Sequence, residues 1–339
     1  MNRRAAFLKF WAPVLALWVS SCGHSQMQRP AASATQASKI AIDLPTRQVI
    51  QPETAPRPEG EVPPPPTDIF LVDLDTAAAL WRVVTVTRLT DRDGYDNQPF
   101  FEAGGDSLLF ASMRDGQTDI FRHQLDLDET ERLTETAESE YSPTPIPGWP
   151  GFSTIRVEAD GTQRLWRFPR SQGAGREPEL VFEAIAPVGY HAWIDPQTVA
   201  MFVLGEPHRL VIGDLLSQEV RTVATDIGRA LHRVPGQEAV SFVDKSDPEH
   251  WMVSILDIPT GKTQKIIETP SGSEDFAWWS PHEVLIASGS KLYLFDLDSP
   301  DAWREVADLA EHEIHGITRL ARSPVGDRLA VVGERKGGC

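Results

Sequence analysis

The sequence predicts an all-β fold, repeated around a closed ring. Three observations lead there. From about residue 67 to 335, short β-branched and aromatic runs alternate with clusters of Asp, Gly, Pro and Asn, and no stretch keeps a sustained helical period. A strand–turn–strand–turn–strand pattern recurs six times, centred near Phe110, Ile155, Phe202, Phe242, Ile286 and Val331, about 44 residues apart. The two ends of this region are complementary halves of the repeat. Together these define a six-bladed β-propeller with split-blade closure over residues 67–335, in which N-terminal strands complete the last blade.

The clearest copy of the repeat runs from Asn97. It reads as a strand, a Gly turn, a strand Leu108–Ser112, a turn at Asp115-Gly116, a strand Asp119–Leu125 and a last strand into Leu133-Thr134. Later copies lead from Trp193-Ile194-Asp195-Pro196 into Val199–Leu204, from Arg233-Val234-Pro235-Gly236 into Ala239–Val243, and from Trp279-Ser280-Pro281-His282 into Val284–Ser288. Pro143–Asp160, with Leu165–Phe168 after it, is the weakest copy. Asp301–Glu311 suits either a helical turn or an outer strand. At the start, residues 68–74 look like a third strand and Leu80–Leu89 like a fourth. At the finish, Gly316–Arg322 and Arg328–Val332 look like a first and a second. Joined, the halves make one blade and leave no open sheet edge.

These copies resemble the TolB-like, or WD40-like, propeller repeat. That repeat has a Ser-Pro-Asp-Gly turn between its first two strands and an Asp-Ile-Tyr-type third strand. The segments MRDGQTDIF (Met113 to Phe121), SPVGDRLAVV and WWSPHEVLIAS carry the likeness, with Leu-Thr pairs at Leu89-Thr90 and Leu133-Thr134. The likeness is to the repeat rather than to TolB itself, which has an α/β domain before its propeller. It implies a protein that holds envelope partners: peptidoglycan-associated lipoproteins or extended envelope segments.

The first 21 residues predict export. Arg3, Arg4 and Lys9 precede an apolar run from Phe10 to Val19, as in a secretory signal. Val19-Ser20-Ser21-Cys22 resembles a lipobox, in which the cysteine is acylated and becomes the N-terminus. Gly23 follows, not the aspartate that resembles an inner-membrane retention signal, so the expectation is an outer-membrane lipoprotein facing the periplasm. Residues 22–66 then form a tether, with eight prolines between Pro45 and Pro66 favouring an extended spacer. Cys22 and Cys339 are the sole cysteines, so an acylated Cys22 leaves Cys339, at the end of the tail 336–339, without a partner.

Charge bounds the partners. The chain has 32 Lys and Arg against 49 Asp and Glu, and stands at −17, or −20 without residues 1–21. Such a surface repels phosphate backbones, so no nucleic acid is expected and the membrane is met through the lipid alone. The propeller is expected to be a monomer. A serine hydrolase needs a Gly-x-Ser-x-Gly elbow, and none occurs.

In propellers of this kind, function sits on loops joining one blade's outer strand to the next blade's inner strand. Here these are Asp91–Asn97, Glu135–Glu140, Ala184–Tyr190, Thr225–Arg229, Thr269–Asp275 and Glu311–Gly316. They nominate Tyr95, Asp96, Asn97, Tyr141, Tyr190, His191, Asp275 and His315 as partner-binding residues, with the aromatics as anchors and the carboxylates setting association. No catalytic residue, resident metal or cofactor is expected. Two sites are nevertheless conceivable: Ca²⁺ on Asp91, Asp93 and Asp96, and a metal held by His191, His232, His312 and His315 in a glycan- or oligouronide-acting enzyme.

Overall fold

The computed structural model describes residues 64–170 and 177–334. The signal, Cys22, most of the tether and Cys339 lie outside the described residues. Six four-stranded antiparallel sheets make up the fold. The first blade is β3 (Asp96–Phe101), β4 (Ser107–Arg114), β5 (Gln117–Gln124) and β6 (Glu129–Arg132). The second is β7 (Ser139–Pro145), β8 (Gly151–Val157), β9 (Gln163–Pro169) and β10 (Glu179–Leu180). The third, fourth and fifth are β11 (Val188–Trp193) to β14 (Val220–Thr225), β15 (Ile227–Arg233) to β18 (Thr263–Glu268), and β19 (Phe276–Ser280) to β22 (Arg304–Asp308). The second copy reads weakest because Pro143 and Pro145 stand in β7 and Ser153, Thr154 and Arg156 interrupt β8, and its outer strand β10 has two residues. Asp301–Glu311 resolves as both options in turn: β22, then a 3₁₀ turn at Ala310–His312.

The sixth blade joins both ends of the ring. Its order is β2 (Arg82–Arg88), β1 (Thr67–Asp75), β24 (Arg328–Glu334), β23 (His315–Arg322). β1 and β24 pair in unbroken register from Thr67↔Glu334 to Asp73↔Arg328, and Arg328 Nε lies 2.6 Å from Asp73 Oδ1 across the seam. The split-blade closure is therefore present as the sequence predicts.

Repetition also organises the core. The six centres read from the sequence all fall on the second strand of a blade and all are buried. Apolar side chains from both faces of each sheet form six clusters, one at every blade–blade interface. No cluster spans the ring. The apolar runs read as near-continuous because each sheet is covered on both faces. Buried polar pegs cross two interfaces: Trp193 Nε1 donates to Ser153 Oγ (2.8 Å), and Trp278 Nε1 to Ser241 Oγ (2.9 Å). With the core confined between blades, the axis is left to the six inner strands β3, β7, β11, β15, β19 and β23, which neighbour one another in a closed cycle.

Candidate functional site: the axial channel

Each inner strand departs from regular pairing with its second strand. The register shifts between Asn97 and Phe100, Tyr141 and Thr144, Val188 and Tyr190, Ile227 and Leu231, Trp278 and Ser280, and His315 and Arg319. Such bulges bend a strand and re-aim its side chains. All six inner strands start at a between-blade loop and finish at the turn leading to their second strand. The channel therefore has a loop end and a turn end.

The channel holds a cavity of about 1040 Å³, near the upper bound for ligand clefts. It begins at Tyr190, Arg229, Asp275 and Arg319, near the loop end, and runs past the strand ends into the turns Glu102–Asp106 and Ile146–Pro150. Five arginines line it (Arg170, Arg229, Arg233, Arg319 and Arg322) against three carboxylates, Glu102, Asp106 and Asp275. Its charge is opposite in sign to that of the chain as a whole.

The loop end is closed by paired groups. Asp275 is held by two guanidiniums, Arg229 Nη2 at 2.7 Å and Arg319 Nη1 at 2.9 Å. Arg319 Nη2 also donates to Tyr190 Oη at 2.9 Å. Lys245 Nζ lies 2.8 Å from Glu274, whose carboxylate also accepts from the Arg229 backbone N–H. Burial opposes the Arg229 charge, but Asp275 and Glu274 outweigh it and hold its pKa above the ordinary arginine value. Tyr95 and Tyr141 pack edge-on, 6.4 Å between centroids, and burial beside Tyr190 pushes the Tyr95 phenol up.

The turn end is different. Arg233 and Arg322 are the last residues of β15 and β23, which flank β19, and neither has an ion pair with a carboxylate among the described residues. Arg322 lies over the Trp279 ring (4.9 Å), and its buried Nε has no hydrogen-bond partner. Phe100 is 42% exposed and lines the cavity with Trp149 and Pro324, while Val325 beside it is 55% exposed. Gly105 makes that rim possible. Its φ of +72° suits glycine, and a Cβ there would fall 2.4 Å from a Val325 methyl.

No family model matches the chain. An uncharacterized protein of Agrobacterium fabrum is 30% identical over 93 residues, which is 27% of this chain; the chain thus spans 29% of that relative's length. A solved structure assigned as TolB from Agrobacterium tumefaciens matches with TM-score 0.62 and 15% identity, over 80% of this chain and 99% of that one. TolB from Acinetobacter baumannii matches with TM-score 0.54 and 12% identity, over 79% of this chain and 65% of that one. In fold, the chain is a TolB-like propeller.

The TolB-like propeller divides the residues that its sequence nominates. Tyr190, His191 and Asp275 line the cavity. Tyr95, Asp96 and Asn97 are buried, because the seam of the ring needs them. Thr67 Oγ1 donates to the Asp96 carbonyl (2.8 Å), Asn97 Nδ2 donates to Thr67 Oγ1 (3.1 Å), and the Asp96 carboxylate meets Arg92 at 3.2 Å. Tyr141 is half-buried, with its hydroxyl 3.1 Å from Thr118 Oγ1. His315 opens β23 outside the cavity lining.

Of the four candidate metal-holding histidines, the cavity takes in His191 and His232. His191 Nε2 is 2.6 Å from Ser153 Oγ and its buried Nδ1 has no partner; His232 packs edge-on to Phe276. Burial lowers their pKa values to about 3 and about 4, so both are neutral near pH 7 and add no charge to the cavity. Asp91 pairs with Arg88 (2.9 Å) while Asp96 faces Arg92, so two of the three Ca²⁺ candidates are turned toward separate cations. Among the described residues, no group of three or more His, Cys, Asp or Glu side chains could hold a metal ion.

The sequence reading missed the arginines. Arg233, Arg319 and Arg322 stand in inner strands beyond the between-blade loops, Arg229 closes one of those loops, and Arg170 follows β9. One signal was available: Arg229-Ala-Leu-His-Arg233 and Arg319-Leu-Ala-Arg322 each carry two arginines within one inner strand.

Proposed function

We propose that this chain is an exported, lipid-anchored propeller that holds a protein or peptide partner in the turn-end mouth of its channel. The supporting observation is the axial cavity of about 1040 Å³, which continues into a rim bearing exposed Phe100. A cleft of that volume accommodates several side chains of an extended segment, and aromatic anchors supply most of the binding energy in such contacts. The likeness to the TolB repeat supports an envelope protein as the occupant, with the propeller acting as a monomer. Acylation of Cys22 would place it on the outer membrane, facing the periplasm. The enzyme alternative would need three or more of its four histidines around the cavity, and two are there.

The test is photo-crosslinking in the native envelope. A photoreactive residue at Phe100 is expected to capture a discrete protein, and the same residue at exposed Leu216 on the third blade is not. Equal capture from both positions would refute the site. For the anchor, Cys22→Ala is expected to abolish fatty-acid incorporation; equal labelling of both proteins would overturn acylation.

A further inference from the structure

We infer that the segment held at the turn end is acidic: an extended stretch of a partner protein that presents two carboxylates to Arg233 and Arg322 and an apolar side chain to Phe100. This inference rests on the reading of the channel as a peptide-binding site, and adds the chemistry of the occupant.

The first support is local charge. In a chain of net charge −17, the cavity has five arginines against three carboxylates. Three of the arginines are committed within the protein. Arg229 and Arg319 share Asp275, and Arg170 Nη2 is 2.6 Å from Glu102 Oε1. Arg233 and Arg322 remain, without a carboxylate among the described residues. A guanidinium is always charged and presents a fork of donors matched to a carboxylate, so two of them beside one cleft favour two acidic groups.

The second support is the rim. Phe100, Trp149 and Pro324 provide apolar surface in the cavity that Arg233 and Arg322 also line, and exposed Val325 follows Pro324 in the chain. A peptide carries aliphatic side chains and carboxylates at close spacing, and so uses both kinds of surface at once. An acidic glycan also needs polar partners for many hydroxyls, and the side chains of Phe100 and Pro324 offer none. The acidic outer surface does not weaken the case. A negative field around a positive mouth repels acidic chains elsewhere on the protein and leaves one productive approach.

The experiment is selection of random octapeptides displayed on phage against the purified full chain, and in parallel against R233Q/R322Q and R209Q/K262Q. The last variant removes two charges outside the cavity. Melting curves confirm that all three proteins are folded. The expected outcome is a recovered set rich in Asp and Glu with an apolar residue between them. A synthetic copy should lose tenfold or more in affinity for R233Q/R322Q, stay within twofold for R209Q/K262Q, and weaken as salt rises. Neutral or basic peptides, or an affinity insensitive to R233Q/R322Q, would overturn the acidic occupant while leaving peptide binding intact. Recovery of no peptide would overturn both, and binding of trigalacturonate in its place, lost in R233Q/R322Q, would reassign the mouth to an acidic glycan.

Discussion

At the loop end of the inner strands, Asp275 lies between Arg229 and Arg319, Glu274 meets Lys245, and Asp96 meets Arg92. At the turn end, Arg233 and Arg322 have no carboxylate among the described residues, and Phe100 stands in the open. The same six strands supply both ends. The arginines that line the cavity at the loop end share a carboxylate and tie neighbouring blades together around the axis. Arg233 and Arg322, at the turn end, form no ion pair among the described residues. Position along the same inner strands therefore separates paired from unpaired guanidiniums.

The severest way to break the comparison is to remove a closure element. Deleting residues 317–339 takes away β24, the partner of β1, together with Arg319. The expected result is loss of cooperative folding and aggregation through the exposed β1 edge. A truncated chain that keeps the parent's melting temperature and monomeric size in solution would show that closure contributes nothing to the ring.

A smaller effect is expected at the loop-end network. Asp275→Asn leaves Arg229 and Arg319 facing each other without their shared counter-ion, and breaking a largely buried pair costs about 3 kcal/mol. Denaturant unfolding measures it. Arg233→Gln at the turn end is exposed and should change stability by less than about 0.5 kcal/mol. Equal costs at the two sites would erase the distinction between the ends.

Glu140 tests the same end through pH. Its carboxyl is fully buried beside Arg156, one oxygen lacks a partner, and burial raises its pKa from 4.5 to about 7. The folded state therefore binds more protons than the unfolded state between these values, and stability falls as pH rises through that window. This group's share of the fall is at most roughly 3 kcal/mol. Glu140→Gln should flatten the decline between pH 4.5 and 7, measured as unfolding free energy at successive pH values. An unchanged slope would mean that Arg156 and Thr136 hold the carboxylate charged.

How much of this was legible follows from where each signal lives. The six second strands are buried on both faces and most carry short apolar runs, so Phe110 through Val331 could be placed from composition and spacing, although β8 interrupts its run with Ser153, Thr154 and Arg156. The seam was legible because each half-blade kept its own strand pattern. The site was not, because its charge is spread over Arg170, Arg229, Arg233, Arg319 and Arg322, and a net charge of −17 averages them away. Tyr95, Asp96 and Asn97 have the composition of a binding loop. The bond to Thr67 that buries them links positions far apart in the chain and leaves no local trace.

Phe100 gives the sharpest test of the comparison. Its ring is 42% exposed at the turn end, whereas Tyr190 at the other end packs edge-on to Phe202 at 5.9 Å and accepts a hydrogen bond from Arg319. Phe100→Ala removes the buried part of the ring and should cost about 1–1.5 kcal/mol of unfolding free energy, less than truncation of a fully buried phenylalanine. If the ring anchors the occupant, the same change weakens capture of the crosslinked partner, or of a selected peptide, by about 1–2 kcal/mol, seen as faster dissociation. Tyr190→Ala should do the reverse, lowering stability more than binding, because its hydroxyl and ring are already engaged within the protein. Paired melting and surface-capture kinetics on the two variants read both quantities. A Tyr190 variant that loses the partner at native stability, beside a Phe100 variant that keeps it, would move the binding face back to the loop end.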